Sequence, residues 1–181
     1  MHEFLQRDVE YVTRVDEVLW GGLLLAMTIV IHGIGMLLTV RAADSIKETT
    51  KEARSRFPGM GLVVLIIAAW MIILVNLIEV AMWSGFFIWK HAQPSIFSAF
   101  YNAMLNYTML QAGYLPLRWR LLEGMLGMAG LMTFAWSTSI LFSLAQEYMD
   151  QALLLARQRR EKRRAARAPA KPHGSGDSGR T

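Results

Sequence analysis

Three polar side chains lie inside long apolar runs and are the first candidates for chemistry: His32, Asn76 and Glu79. A carboxylate at the centre of a membrane helix costs about 2.5–3.5 kcal/mol even on the lenient insertion scale, so Glu79 normally needs a partner or a function. As a functional group it would bind a cation or carry a proton. As a structural group it would be protonated, or hydrogen-bonded to a tryptophan or to the backbone of the short helix predicted below at residues 96–109. Asn76 and Trp83 share the helix face of Glu79.

His32 would be a natural partner for Glu79, but residue counting predicts that the two do not meet. At 1.5 Å per residue, measured from the middle of each apolar run, they differ in depth by roughly 12 Å. We therefore expect His32 to be a packing histidine. No metal-ligand spacing or nucleophile–base pair accompanies it, and the chain has no cysteine. The sequence thus predicts no catalytic residue, no metal site, no cofactor and no enzyme activity.

A second group of candidates lies in residues 94–117, between two of the apolar runs. Pro94 sets a turn, Ser95 is a good N-cap, and residues 96–109 can form a helix of about 20 Å, which is too short to cross a membrane and return. Gly113 and Pro116 then break the helix. Irregular backbone at membrane depth is tolerated only where it is buried in protein or lines water. This pattern predicts a re-entrant helix and pore loop, with an amphipathic helix on the membrane surface as the alternative. The candidate pore residues are Thr108, Met109, Leu110, Gln111, Ala112, Gly113 and Tyr114.

The elements that must position these residues are apolar helices. Residues are 54% apolar and only 18% charged, and the charges cluster, which is typical of an integral membrane protein. Crossing the hydrocarbon core takes about 20 apolar residues. Residues 18–40, 60–88 and 121–144 meet this length. We therefore predict an all-α membrane protein with three transmembrane helices and the re-entrant segment between the second and third.

Basic residues predict the orientation of the three helices. The connector 41–59 and the chain after residue 144 are rich in lysine and arginine, whereas residues 1–17 and 89–120 are poor in them. The positive-inside rule then places the N-terminus outside and the C-terminus in the cytoplasm of a multi-pass inner-membrane protein. A fourth span over residues 95–115 would put the basic tail outside. We expect residues 145–167 to form a basic cytoplasmic helix and residues 168–181, rich in Pro, Gly and Ser, to be disordered.

Two further residue sets have candidate roles in packing or lipid binding. Gly124, Gly127 and Gly130 recur every third residue, which suits close helix packing and could provide a hinge. The basic cluster could bind anionic membrane lipids at about 1 kcal/mol per residue near the surface. No nucleic-acid partner is expected. The cluster comprises Arg157, Arg159, Arg160, Lys162, Arg163, Arg164 and Arg167.

Residues from 76 to 144 resemble the pore-loop channel superfamily, in particular small bacterial proteins related to two-span potassium channels. Asn76, Glu79 and Trp83 resemble the outer-helix pattern of those proteins. The run FYNAMLNYT, ending at Thr108, is similar to their aromatic pore helix. WRLLEG, Gly130 and the run WSTSILF are similar to their inner helix. The resemblance implies a homotetramer that passes monovalent cations, with potassium as the candidate ion. It also favours a structural role for Glu79, because outer helices of such modules do not line the pathway.

The chain departs from that family at the filter. Residues 108–115 read TMLQAGYL, whereas the family motif carries two glycines and an aspartate around a tyrosine. Neither alignment register restores that set, and only Thr108 and Gly113 carry over weakly. Carbonyl rings need glycine because Ala, Met and Gln resist the required dihedrals. Potassium selectivity by the usual mechanism is therefore not expected. The alternative is a non-conducting subunit of the same fold, with a regulatory or structural role, that assembles with a related channel subunit as a heteromer.

Overall fold

A computed structural model of the protein describes residues 15–49, 60–110 and 113–167. Four α-helices follow in chain order: α1 (Val15–Thr49), α2 (Met60–Trp89), α3 (Ile96–Tyr107) and α4 (Arg120–Arg167), with a 3₁₀ turn at Leu117–Trp119 before α4. No strand occurs among these residues, so the all-α prediction is confirmed. The pore candidates Gln111 and Ala112, most of the predicted N-terminal segment, part of the basic connector and the predicted disordered tail lie outside the described ranges.

Three of the helices, α1, α2 and α4, are long and apolar enough to cross a membrane, as predicted. Two of them continue beyond the predicted spans. α1 runs past residue 40 to Thr49, and α4 runs past residue 144 to Arg167. Ala, Glu, Gln, Lys and Arg dominate these extensions, and such residues favour helix once it has begun. The described residues divide into two compact units, one up to Leu144 and one from Ala145 onward, and the site described below belongs to the first.

The buried and exposed faces of α1 are reversed relative to a water-soluble helix. Its exposed face is apolar and includes Leu19, Leu23, Val30 and Ile34. Its buried face combines small and polar side chains. Helices in lipid behave in this way, because small residues allow close approach and polar ones must find partners inside the bundle. The buried set is Glu17, Gly21, Leu24, Thr28, His32, Gly35, Met36, Thr39 and Ala43.

α1 and α2 pack antiparallel along most of their length. The rings of Trp20 and Trp89 meet edge-on at 5.3 Å near the end of α2. Farther along, Gly35 lies so close to Val75 that a Cβ on the glycine would be 2.4 Å from a valine methyl. Between these two pairs, the residue number rises along α1 by about as much as it falls along α2, so one antiparallel register describes both contacts. This register decides which side chains of the two helices can meet.

α3 begins where the sequence predicts and ends two residues early. The Ser95 side chain accepts a hydrogen bond from the Ser98 amide at 3.2 Å, which confirms the N-cap. The helix ends at Tyr107, before the predicted end at Met109. Its buried face carries small and amide side chains (Ala99, Asn102, Ala103, Asn106) together with Tyr107. Its aromatic face is exposed in the single chain, with Phe97 the most exposed at 85%.

Candidate functional site

Glu79 is the centre of a polar cluster that is fully enclosed by the helices. One carboxylate oxygen lies 2.8 Å from His32 Nδ1, and the other accepts a hydrogen bond from the Tyr107 hydroxyl at 2.6 Å. His32 and Glu79 have no exposed surface, and Tyr107 retains only 8%. The cost of placing a carboxylate among apolar helices is thus offset by two direct hydrogen-bond partners, one from α1 and one from α3.

Two hydroxyls of α4 complete the cluster. Thr133 Oγ1 lies within hydrogen-bond distance of the Tyr107 hydroxyl, and Ser137 Oγ is 3.3 Å from His32 Nε2. Both hydroxyls are buried and lie one turn apart. The five side chains therefore form a series of hydrogen bonds that begins and ends on α4, which closes it, with one residue each from α1, α2 and α3 between. We call these residues, His32, Glu79, Tyr107, Thr133 and Ser137, the polar ring.

The direct contact between His32 and Glu79 shows that the depth prediction is wrong. The depth prediction assumed that the midpoints of the two apolar runs, residues 18–40 and 60–88, lie at the same level in the membrane. The run of α2 is longer, and the helix register puts its extra length at the end away from Trp89. The middle of α2 is therefore not level with the middle of α1, and Glu79 falls opposite His32. His32 is buried and packed as expected, but it is also hydrogen-bonded to the carboxylate.

The two residues that share the helix face of Glu79 have different contacts. Trp83 Nε1 donates to Thr28 Oγ1 at 3.0 Å instead of to the carboxylate. Asn76 Oδ1 lies 3.4 Å from the Tyr107 hydroxyl, at the edge of the ring. Tyr107 itself was missed as a site residue. A signal was available, because a buried tyrosine hydroxyl almost always finds a hydrogen-bond partner.

The end of α3 has an unusual backbone at the first candidate pore residues. The Leu110 amide bonds to the Leu105 carbonyl at 2.8 Å and the Met109 amide to the Asn106 carbonyl at 2.9 Å, which is a Schellman motif. Met109 occupies the left-handed position with φ of 58°, where glycine is usual. Thr108 Oγ1 bonds back to the Met104 carbonyl at 2.9 Å. The first candidate pore residues, Thr108 to Leu110, thus form the end of α3, and the backbone at Met109 is strained.

Relieving this strain provides a stability test. We expect Met109→Gly to raise the stability of the protein by roughly 1 kcal/mol, because glycine has no Cβ penalty in the left-handed region. His91, at φ 52°, holds the same position at the end of α2, so His91→Gly should act alike. Thermal unfolding of the detergent-solubilised protein measures both. Leu110→Gly, one residue beyond the strained position, should lower stability. A decrease for Met109→Gly equal to that of Leu110→Gly would contradict the strain.

Two buried carboxylates hold the loop that follows α3 and the start of α4. The Glu123 carboxylate accepts the backbone amides of Gly113 and Leu115, both at 2.5 Å. The Glu17 carboxylate, from the start of α1, accepts the Leu121 amide at 2.9 Å. Acidic groups near a helix N-terminus satisfy its free amides and complement its dipole. Sequence reasoning missed both roles, although Glu123 stands in the first turn of α4.

The remaining candidate residues lie around an open cleft beside this loop. The cleft has a volume of about 740 Å³, and it reaches from the end of α3 to the first turns of α4. Tyr114 is half exposed nearby, and its carbonyl accepts a hydrogen bond from Gln93 at 3.4 Å. The cleft is lined by Asn106, Met109, Leu110, Gly113, Arg120, Glu123, Gly124 and Gly127.

The three glycines of α4 have different surroundings. Gly130 lies against the backbone of α3, where a Cβ would stand 1.9 Å from the Tyr107 carbonyl oxygen. Gly127 makes an ordinary contact with the Asn106 carbonyl, and Gly124 has open space. Gly130 and Gly127 therefore lie against α3 of the same chain. In the second unit the described basic side chains, including Arg157 and Arg160, are exposed.

Comparison with models of protein families, with curated proteins and with solved structures finds no match to this chain.

Proposed function

We propose that this chain is the subunit of a potassium-channel-like membrane protein that passes monovalent cations passively through a tetrameric pore. Residues 94–117 form the re-entrant segment in this proposal, and the loop from Thr108 to Tyr114 lines the pathway. The N-terminus lies outside and the C-terminus in the cytoplasm, as the positive-inside rule suggests. The pore needs several copies of the loop around one axis, so the partners are further copies or a related subunit.

The observation that supports the proposal is the depth that α3 reaches along α2. Tyr107, at the end of α3, bonds to Glu79, which lies ten residues before the end of α2 at Trp89. At 1.5 Å per residue this is about 15 Å, or half of a typical hydrocarbon core of about 30 Å. The chain then returns, because Trp119 packs edge-on against Phe86 at 5.7 Å. A segment that descends half-way and comes back is what a re-entrant loop requires.

Aromatic and basic side chains support a membrane boundary at the same end of the helices. Lys90 Nζ lies 3.7 Å from the ring centroid of Trp89 and 4.4 Å from that of Trp20. Arg118 lies 5.0 Å from the ring of Trp119. Tryptophan concentrates at membrane interfaces, where an apolar ring and a polar partner are both accommodated. With the boundary at this level, the polar ring would lie near the middle of the bilayer.

Exposed apolar residues of α3 and α4 support assembly. Phe97 and Tyr101 on α3 and Phe134 on α4 expose 85%, 58% and 67% of their surface in one chain. In a tetramer, neighbouring loops and lipid would cover these faces. The open cleft next to Gly124 leaves space for part of a neighbouring copy in such a tetramer.

A second candidate function rests on the residues that follow α3. Met109 and Leu110 expose 61% and 75% of their surface at the place where carbonyl ligands would be needed, and the amide of Gly113 is held by Glu123. Apolar side chains at this place favour a closed pathway. The alternative is therefore a non-conducting subunit of the same fold with a regulatory or structural role in a heteromer.

Ion flux into proteoliposomes distinguishes the two functions. We expect the purified protein to pass potassium or sodium, and we expect the selectivity to change when residues 109–115 are rewritten as a glycine-rich filter. The matched control exchanges Phe97, on the exposed face of α3, for leucine and should leave the selectivity unchanged. Flux that appears only on co-expression with a glycine-rich relative would establish the second candidate. A protein that is strictly monomeric in mild detergent would refute the tetrameric pore.

A further inference from the structure

The polar ring has a hydrogen-bond pattern that can be completed in two ways. The titratable groups facing Glu79 are His32 from α1 and Tyr107 from α3, and α4 contributes only the hydroxyls of Thr133 and Ser137. Each hydroxyl has one proton to donate and can also accept. The direction of the bonds around the ring therefore depends on how many protons the ring holds.

In the first arrangement the Glu79 carboxylate is ionised. It accepts from His32 Nδ1–H on one oxygen and from the Tyr107 hydroxyl on the other, at 2.8 and 2.6 Å. Tyr107 then accepts from the Thr133 hydroxyl, and no polar atom of the carboxylate lacks a partner. Hydrogen bonds to an ionised group are the strong ones, so this arrangement holds α3 firmly.

In the second arrangement the ring has taken up one proton from water on the Glu79 oxygen that faces Tyr107. The carboxyl now donates to Tyr107, and the Tyr107 hydroxyl turns to donate to Thr133. Thr133 in turn donates to the Ala129 carbonyl, which lies 3.0 Å from its oxygen. On the other side Ser137 donates to His32, and His32 still donates to Glu79. Every donor again has an acceptor, and the ring carries no net charge.

We propose that the polar ring is a proton-binding site at membrane depth, in which Glu79 binds and releases one proton while the Tyr107 and Thr133 hydroxyls reverse direction. The same heavy-atom positions satisfy both states, so the proton can be exchanged without unfolding the bundle. Without these hydrogen-bond partners a carboxyl in this position would have to stay neutral, because an unpaired buried charge costs several kcal/mol. Since Tyr107 is the last residue of α3, the proton alters the bond that anchors the segment before the loop.

Infrared difference spectroscopy of the full chain tests the site directly, because only a protonated carboxyl shows the acid carbonyl stretch. We expect a band of this kind that appears and disappears with pH and is lost in Glu79→Gln, in addition to the bands of the other carboxyls among the 14 Asp and Glu residues of the chain. Glutamine keeps both hydrogen bonds by accepting from His32 and donating to Tyr107, so this variant should fold. Glu147→Gln, an exposed carboxylate of the second unit, should keep the band.

A second variant tests the reversal of the hydroxyls. Tyr107→Phe keeps the carboxyl but removes the hydroxyl that it contacts, so the band should shift in frequency, because the carbonyl stretch depends on the hydrogen bonds of the carboxyl. A band that does not titrate, that survives Glu79→Gln, or that is unchanged by Tyr107→Phe would overturn the site. The measurement needs no ion flux. A protein that conducts nothing but shows the titrating band would therefore refute the proposed function and leave the proton site standing.

Discussion

Glu79→Ala is expected to lower the stability of the protein by several kcal/mol, because it removes the acceptor of two buried donors, and each unsatisfied buried polar group costs about 1–3 kcal/mol. His32 would keep its position between α1 and α4 without a carboxylate, and Tyr107 would lose its 2.6 Å bond. A cavity would also remain where the carboxylate was, which adds to the loss. Thermal or denaturant unfolding in detergent, followed by tryptophan fluorescence, measures the change.

Glu79→Gln is the matched control, because it keeps the volume and both hydrogen-bond positions. We expect its loss to be less than half of that of Glu79→Ala. A double-mutant cycle with His32→Ala then gives the coupling between the two residues. Asn76→Ala should have a small effect, since its oxygen is 3.4 Å from the Tyr107 hydroxyl and at the limit of a hydrogen bond. Equal losses for alanine and glutamine at position 79 would show that the pair does not stabilise the fold.

Gly130→Ala should be the other strongly destabilising change, with an expected loss of about 1–3 kcal/mol from overpacking. The added Cβ would stand 1.9 Å from the Tyr107 carbonyl oxygen and 2.8 Å from its carbon. Both are backbone atoms of α3, so they cannot move away as a flexible side chain could. α3 must shift as a whole, and the contact between Tyr107 and Glu79 must stretch with it.

Gly124→Ala is the control on the same helix, because nothing lies within 4 Å of its added Cβ. Alanine favours helix over glycine by up to about 1 kcal/mol, so this variant should be neutral or more stable. The difference between the two variants isolates the clash from the helix preference. If Gly130→Ala unfolds at the same temperature as Gly124→Ala, α3 does not pack against α4 as described.

The sequence predicted the elements well because each depends on local information. Three apolar runs of sufficient length define three helices, and no partner is needed to recognise them. The N-cap at Ser95 follows from one residue before a helix. The boundaries were less accurate at α1, since residues beyond its apolar run also favour helix and extend it, whereas α4 ends at Arg167, where the predicted basic helix 145–167 ends. The inward placement of α3 in a membrane remains a prediction, supported by the depth of Tyr107.

The candidate residues were found in part because a carboxylate in an apolar run is conspicuous. Glu79, His32 and Asn76 could be singled out from their neighbours in the sequence alone. Their contacts could not be predicted, because whether two side chains meet depends on the longitudinal register of one helix against another. A shift of a few residues in this register moves a side chain by several ångströms, which is enough to break a hydrogen bond.

The tertiary structure alone decided which groups satisfy the buried carboxylates. Tyr107 reaches Glu79 because Gly130 lets α3 approach α4, and Glu123 meets the Gly113 amide only after the chain has turned back. These contacts join residues that are distant in sequence. The amino-acid sequence by itself thus determined the helices and the presence of a buried charge, since hydropathy acts locally. The partners of that charge were decided by helix packing, because a hydrogen bond requires atoms from separate helices within about 3 Å.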